Sequence, residues 1–251
     1  MTHAFKNDKQ SNYYILFFLF PTLLLLFFSP STLYASPKEN GKWVVVIDAG
    51  HGGSDPGAVG AISKEKDITL AVALKTGKYL SENLNNVKVI YTRETDKSVD
   101  LIERPKIANR NNADLFISIH ANSMSDKNSR NKVSGAETYI MGLAKDKASL
   151  DVAMRENQVI TLEDDYSTKY DGFDPQSPES YVIFTLTHNL FQRQSTELAS
   201  KIQTQFRDRV GRKDRGVKQA GYWVLYNTSM PSILIELGFI SNNEEEKYLN
   251  S

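Results

Sequence analysis

The stretch Trp43-Val-Val-Val-Ile-Asp-Ala-Gly-His-Gly-Gly-Ser-Asp-Pro-Gly-Ala-Val-Gly60 decides how this chain folds. Val44 to Ile47 are four β-branched apolar residues in a row. A run without polar alternation reads as a strand buried on both faces, as in the middle of a parallel sheet. The apolar run stops at Asp48, and a glycine-rich turn then carries His51. A buried strand ending in an imidazole on a tight loop places a functional group at a sheet edge. His51 is read as the first ligand of a catalytic zinc. Two other readings stay open on this stretch alone. Glycine-rich loops after strands also cradle phosphates, although the spacing is neither a dinucleotide fingerprint nor a P-loop. A lone histidine after a strand can also be purely structural.

Composition narrows the chemistry. The chain has 251 residues, with 30 Lys and Arg balanced by 30 Asp and Glu, so no electrostatic footprint for nucleic acid is visible. There is no cysteine, so a metal must be held by His, Asp or Glu. The four histidines are His3, His51, His120 and His188. His3 falls in a leader, and His188 is read as structural or surface.

That leader is expected over residues 1–35. Lys6 and Lys9 precede an apolar run from Tyr13 to Phe28, then Ser29-Pro-Ser31 and Leu33-Tyr-Ala35. This is the order of a secretory signal, with cleavage expected after Ala35. Leu33 is a poor residue three places before that cut, so an uncleaved anchor stays open. The run is short for a membrane span and contains Pro21. No stable span is expected after cleavage. Residues 36–42 read as a linker, and 43–251 as one domain of a size that supports a full core.

Along that domain, strands and helices alternate. Lys64 to Leu84 reads as a helix with Ser63 as N-cap, and Glu65 in its first turn. Glu65 can be explained by the helix dipole alone, but the Gly50–Gly60 loop runs directly into this helix and can bring Glu65 to His51. Val87–Thr92 is a second strand, Asp100–Asn112 a helix in which Arg104 and Asn109 read as structural, and Asp114–His120 a third strand. Two strands thus end in histidine. Parallel neighbours would put both imidazoles on the carboxyl edge of the sheet, where ligands bind in α/β folds. Gly135–Met141 is another strand. Lys147–His188 interrupts the alternation: Asp151–Leu162 is helix-like, Glu163-Asp-Asp165 is acidic, and Tyr170–Ser180 is rich in Pro, Gly and Asp. It is expected to lie over the domain as an insertion rather than to form core. A helix over Asn189–Val210, short strands at Gly216–Ala220 and Trp223–Tyr226, a last strand Pro231–Phe239 and a helix from Asn242 complete the chain. Glu236 lies inside that last apolar strand, where a carboxylate is costly unless paired or metal-linked. The expected class is α/β: one domain, a mixed but mostly parallel twisted sheet with helices on both faces, plus the inserted segment.

Two histidines and a glutamate make a common catalytic zinc set with a position left for water. His51, Glu65 and His120 would be the ligands, and Glu236 the general base and acid. Amide hydrolysis follows from that inventory.

At these residues the chain resembles a family. Asp48-Ala-Gly-His-Gly-Gly53, Asp55-Pro-Gly57, Glu65-Lys66, Thr92-Arg93 with Asp96, Ser118-Ile-His-Ala-Asn122 and Glu236-Leu-Gly-Phe-Ile-Ser-Asn242 look like the zinc-dependent N-acetylmuramoyl-L-alanine amidases of bacterial cell walls. The resemblance runs in order from Trp43 to Asn250. It implies zinc held by His51, Glu65 and His120, and a catalytic Glu236. It implies a peptidoglycan substrate, cut between the lactyl group of N-acetylmuramic acid and the L-alanine of the stem peptide, often at daughter-cell separation. It also implies a periplasmic location. The inserted segment sits where cell-division amidases carry a blocking helix that an activator with a degenerate peptidase domain pulls away. Glu156 or Glu163 would then be the blocking carboxylate; a plain surface insertion or a groove wall is the alternative. The family usually has a longer final helix than the stretch after Asn242. No wall-binding repeat is visible, so targeting would come from the domain or a partner. Competing readings are another zinc peptidase or carboxypeptidase acting on stem peptides, a non-catalytic wall-binding relative, and an activator of another hydrolase.

Overall fold

The computed structural model describes residues 41–126, 128–186 and 190–251. The expected signal, His3 and His188 lie outside the described residues. Six strands are joined in one sheet: β1 (Trp43–Ala49), β2 (Val87–Tyr91), β3 (Leu115–Asn122), β4 (Ala136–Met141), β5 (Asp214–Ala220) and β6 (Ser232–Phe239). Their order is β2-β1-β3-β6-β4-β5. All neighbours are parallel except β4 and β6, which run antiparallel. The sheet is therefore mixed and mostly parallel, as the alternation of elements predicts.

The alternation of side chains along β1 explains the layers. Val45 and Ile47 join Ile117, Ile119, Ile233 and Ile235 in one cluster, against Ala73 of helix α1 (Glu65–Asn83) and Ala199 of helix α6 (Gln192–Asp208). Val46, between them, faces the opposite cluster with Phe116 and Leu234, against Ala108 of helix α2 (Glu103–Arg110). Burial on both faces is why Val44–Ile47 carries no polar alternation.

The strand does not stop at Asp48. It continues to Ala49, and Asp48 is fully buried within it. Arg104 Nη1 donates to Asp48 Oδ1 at 2.8 Å, and the hydroxyls of Thr92 and Ser118 donate at 2.6 Å each. Burial alone would raise the pKa of Asp48, but Arg104 and the two hydroxyls outweigh it and hold the group below its ordinary 3.8. Arg104 also donates to the carbonyls of Ala49 and His51, so it fixes the turn that carries the imidazole. Arg104→Met is expected to cost about 3 kcal/mol, because it strands a buried charge. Urea unfolding checks this. Because the folded pKa is depressed, the lost stability is present above about pH 4 and fades as pH falls through the folded value, so the two proteins should converge in strong acid.

Three further expectations change. Ser63 does not cap α1: Lys64 occupies that position without a side-chain cap, and the Ser63 hydroxyl donates to Glu246 Oε1 at 2.9 Å. Glu246, on helix α7 (Asn243–Leu249), also accepts the N–H groups of Ala61, Ile62 and Ser63, and this satisfies the loop before α1. Trp223–Leu225 is a short 3₁₀ turn rather than a strand. Asn157 accepts the Trp223 N–H and donates to the Gly221 carbonyl, taking backbone groups that a ladder would need. Finally, the inserted segment is core. It forms helix α3 (Lys147–Asn157), a 3₁₀ turn (Gln158–Leu162), helix α4 (Tyr166–Lys169) and helix α5 (Pro178–Leu186). Val152, Ala153, Ile160, Tyr170, Phe173, Tyr181 and Phe184 are buried in the same cluster as Val46 and Phe116. The aromatic spacing was hidden by the Pro, Gly and Asp residues between them.

Candidate active site

The carboxyl ends of β1, β3 and β6 meet at one edge. β1 and β3 are parallel neighbours, and His120 on β3 is the register partner of Glu236 on β6. His51 follows β1 on a turn with φ of 62°. A left-handed backbone at a non-glycine residue costs about 1 kcal/mol or more, and here it turns the imidazole back over the sheet edge. The rings of His51 and His120 are then 4.8 Å apart, edge to face. Two glycines make the approach feasible. A Cβ on Gly50 would lie 2.4 Å from the His120 ring, and one on Gly57 would lie 2.6 Å from the His51 ring and 2.7 Å from Glu65 Oε2.

Glu65 is buried in the first turn of α1. Its Oε2 accepts the Ala58 N–H at 2.8 Å and its Oε1 accepts the Ala121 N–H at 2.9 Å. Oε1 also lies 3.1 Å from His51 Nε2 and 3.2 Å from His120 Nδ1. Glu156, near the end of α3, completes the group: its Oε2 is 3.1 Å from His51 Nε2 and 3.0 Å from His120 Nδ1. One donor atom from each of His51, Glu65, His120 and Glu156 lies within 4.8 Å of all the others, and all four residues are buried. Glu163 is elsewhere. Its carboxylate accepts the Leu101 N–H and the Tyr170 hydroxyl, each at 2.8 Å, so it holds the insertion onto the loop before α2 rather than facing the centre.

This set could hold a metal ion. His51 Nε2 and Glu156 Oε2 are buried and make no hydrogen bond, although they are 3.1 Å apart. Such lone pairs aim at a common point rather than at each other. The charges agree. Burial opposes protonation of His51, but Glu65, Asp55 and Glu156 prevail and push it well above its ordinary value. His120 is likewise pushed up to about 9, burial opposing and Glu156 prevailing. Glu65 is held down to about 2 against burial, chiefly by His51. Two imidazolium protons beside two carboxylates are what one divalent cation with neutral imidazoles would replace without changing the net charge. Asp55 completes the arrangement: its Oδ2 is 2.6 Å from His51 Nδ1, which leaves Nε2 to face the centre.

Glu236 is fully buried, and neither carboxylate oxygen has a hydrogen-bond partner. Burial, then the nearby Glu156 carboxylate, push its pKa well above the ordinary carboxylate value. A buried acid with no partner is unfavourable for stability, which points to chemistry at that position. A cavity of about 220 Å³ leads to the centre past His51, Glu65, Arg155 and Glu156.

The family model for N-acetylmuramoyl-L-alanine amidases matches residues 45–251. The chain belongs to this family. The Escherichia coli protein named N-acetylmuramoyl-L-alanine amidase AmiA is 33% identical over 217 residues, which cover 85% of this chain and 71% of that protein. Among solved structures, an N-acetylmuramoyl-L-alanine amidase from Clostridium difficile 630 matches with a TM-score of 0.60 at 26% identity, covering 84% of this chain and 87% of that one. The CwlD amidase of Clostridioides difficile, solved in complex with the GerS lipoprotein, matches with a TM-score of 0.57 at 28% identity, covering 84% and 89%. Membership supports the α/β architecture and places the four-residue cluster within an amidase domain.

Sequence reasoning named His51, Glu65, His120 and Glu236 as site residues, with Glu156 or Glu163 as a candidate blocking carboxylate. It gave no role to Asp55 or Arg155, and it read Arg104 as structural only. Asp55 sits four residues after His51, close enough to be its partner. Arg155 carries no such signal. It donates to Ser123 O and Asn122 Oδ1 at 3.0 Å each and pairs with Glu156 Oε1, contacts that only the fold creates.

Proposed function

We propose that this amidase is a zinc enzyme that hydrolyses the amide between the lactyl group of N-acetylmuramic acid and the L-alanine of peptidoglycan stem peptides. One observation carries the reading: two imidazoles and the Glu65 carboxylate converge on one point, with the unbonded Glu236 carboxyl in register beside His120. His51, Glu65 and His120 would hold the ion, and a nitrogen-rich set of this kind suits zinc. When bound, the ion supplies Lewis acidity, polarising the carbonyl of the scissile amide and acidifying water. The chain's own groups do the rest. Asp55 orients His51, and the Ala58 and Ala121 N–H groups orient Glu65. Glu236 takes a proton from the attacking water and delivers it to the leaving amine of L-alanine.

Glu156 is then the fourth donor of a closed resting site, and the insertion is the element that holds it there. In this reading a partner protein withdraws Glu156; a degenerate peptidase domain would fit that role. The complex of the CwlD amidase with a lipoprotein supports the idea that family members assemble with partners. The leader at residues 1–35 supports export, to the periplasm where an outer membrane is present, and work on the wall at cell separation. Among the described residues no helix is long and apolar enough to cross a membrane.

Metal content by atomic spectroscopy, read together with muropeptide products, tests the proposal. The wild-type protein should hold one zinc per chain and release intact peptides with a free L-alanine amine. His120→Ala should lose both the metal and hydrolysis. Peptides cut internally would indicate a stem-peptide peptidase or carboxypeptidase instead, and iron in place of zinc would correct the ion.

A further inference from the structure

Lys147, Asp151, Val152 and Arg155 of α3 line a second cavity, of about 550 Å³. Its charged lining is Lys147, Arg155, Arg215 and Lys218 against Glu137 and Asp151, so cations outnumber carboxylates two to one. Glu137 organises it. This residue is 1% exposed and is the register partner of Glu236 across the antiparallel β4–β6 pair. Its oxygens take the Tyr139 hydroxyl at 2.6 Å, Lys218 Nζ at 3.0 Å and the Arg215 Nε–H. Burial works against its charge, but these donors outweigh it and keep the carboxyl below its ordinary pKa. One buried carboxylate therefore anchors two cations, and one positive charge is left over.

The leftover charge faces the cavity. The side chains of Arg215 and Lys218 are 26% and 21% exposed. The Arg215 guanidinium sits over Phe239, its carbon 5.0 Å from the ring centroid, and only its Nε is used by Glu137. Among the described residues nothing hydrogen-bonds its two terminal nitrogens, which form the edge that takes a carboxylate bidentately. Cations fixed by a buried counter-charge bind an anion without paying the entropy of ordering long side chains.

We propose that Arg215 and Lys218, held by Glu137, form a subsite for a carboxylate of the stem peptide, next to the acid that cuts it. This rests on the amidase reading and deepens it. The substrate's own chemistry selects the peptide. The lactyl carboxyl is the acyl half of the bond to be cut and the amino sugars are neutral, so an uncleaved substrate carries its carboxylates on the peptide side.

Calorimetric titration of the native protein with three probes tests the assignment. The probes are a peptide that begins with L-alanine and bears free carboxylates, the same peptide with every carboxylate amidated, and free N-acetylmuramic acid. The free peptide should bind at least tenfold tighter than the amide, and N-acetylmuramic acid should not compete with it. Arg215→Gln and Lys218→Gln should each bring the peptide-to-amide ratio close to one. Equal binding of the two peptides to the wild-type protein overturns the subsite without relying on any variant. So do retained discrimination in both variants and competition by N-acetylmuramic acid. Hydrolysis separates the two claims. If muropeptides are cut but the peptide preference is absent, the subsite falls and the amidase reading stands. If the preference is present and muropeptides stay uncut even by a metal-bearing Glu156→Gln protein, whose site is no longer closed, the peptide-carboxylate site stands and the amidase reading falls.

Discussion

Glu236→Gln should reduce hydrolysis by about three orders of magnitude or more, the scale on which a positioned general acid and base acts, while leaving metal content unchanged. Glutamine keeps the shape of the side chain and removes only its ability to take up and release a proton. The location of Glu236 makes this a clean test. It is fully buried on β6 beside His120, and neither of its oxygens is hydrogen-bonded, so no network collapses when the charge goes. The same variant should unfold at an equal or higher temperature, because a buried carboxyl without partners opposes folding. Muropeptide release, metal analysis and a thermal melt on one preparation check all three parts. A variant that keeps its metal, melts no lower and still cuts at the wild-type rate would remove Glu236 from the chemistry.

The second large effect concerns Glu156. Glu156→Gln should raise basal hydrolysis by about tenfold or more, since it weakens the fourth donor proposed to close the resting site and leaves the three proposed ligands in place. The change is small in structural terms. Arg155 keeps its contacts to Ser123 and Asn122, and the apolar side chains of α3 stay in the core. Deleting residues 150–185 would be a poor test, because it removes Val152, Ala153, Ile160, Tyr170, Phe173, Tyr181 and Phe184 from the main cluster and would unfold the domain. Unchanged basal activity in a folded, metal-bearing Glu156→Gln protein would show that Glu156 does not hold the site closed.

The two expectations differ in how far the sequence could supply them. Glu236 is legible because a carboxylate stands alone in an apolar strand, an arrangement that burial penalises unless chemistry requires it. Glu156 is less so. The sequence offered Glu156 or Glu163 as a blocking carboxylate, on the strength of a family resemblance and an acidic, helix-prone segment. Both residues are acidic, both lie in the insertion, and nothing local distinguishes them. The fold does: α3 ends with Glu156 over the histidines, while the following 3₁₀ turn carries Glu163 to the Leu101 N–H and Tyr170.

By itself, the sequence determined the β1 strand, the strand–helix alternation and the mixed sheet, and it singled out His51, Glu65, His120 and Glu236 as candidates, because each follows from local patterning: apolar runs set strands, glycines set the turn, and isolated polar groups mark positions where burial has a cost. Only the tertiary structure decided that Asp48 is a buried anchor for Arg104, that the insertion is core, that Glu156 rather than Glu163 faces the histidines, and that Glu137 gathers Arg215 and Lys218. Those facts depend on pairs of residues far apart in the chain. Their energies come from desolvation and charge at distances that no local pattern encodes.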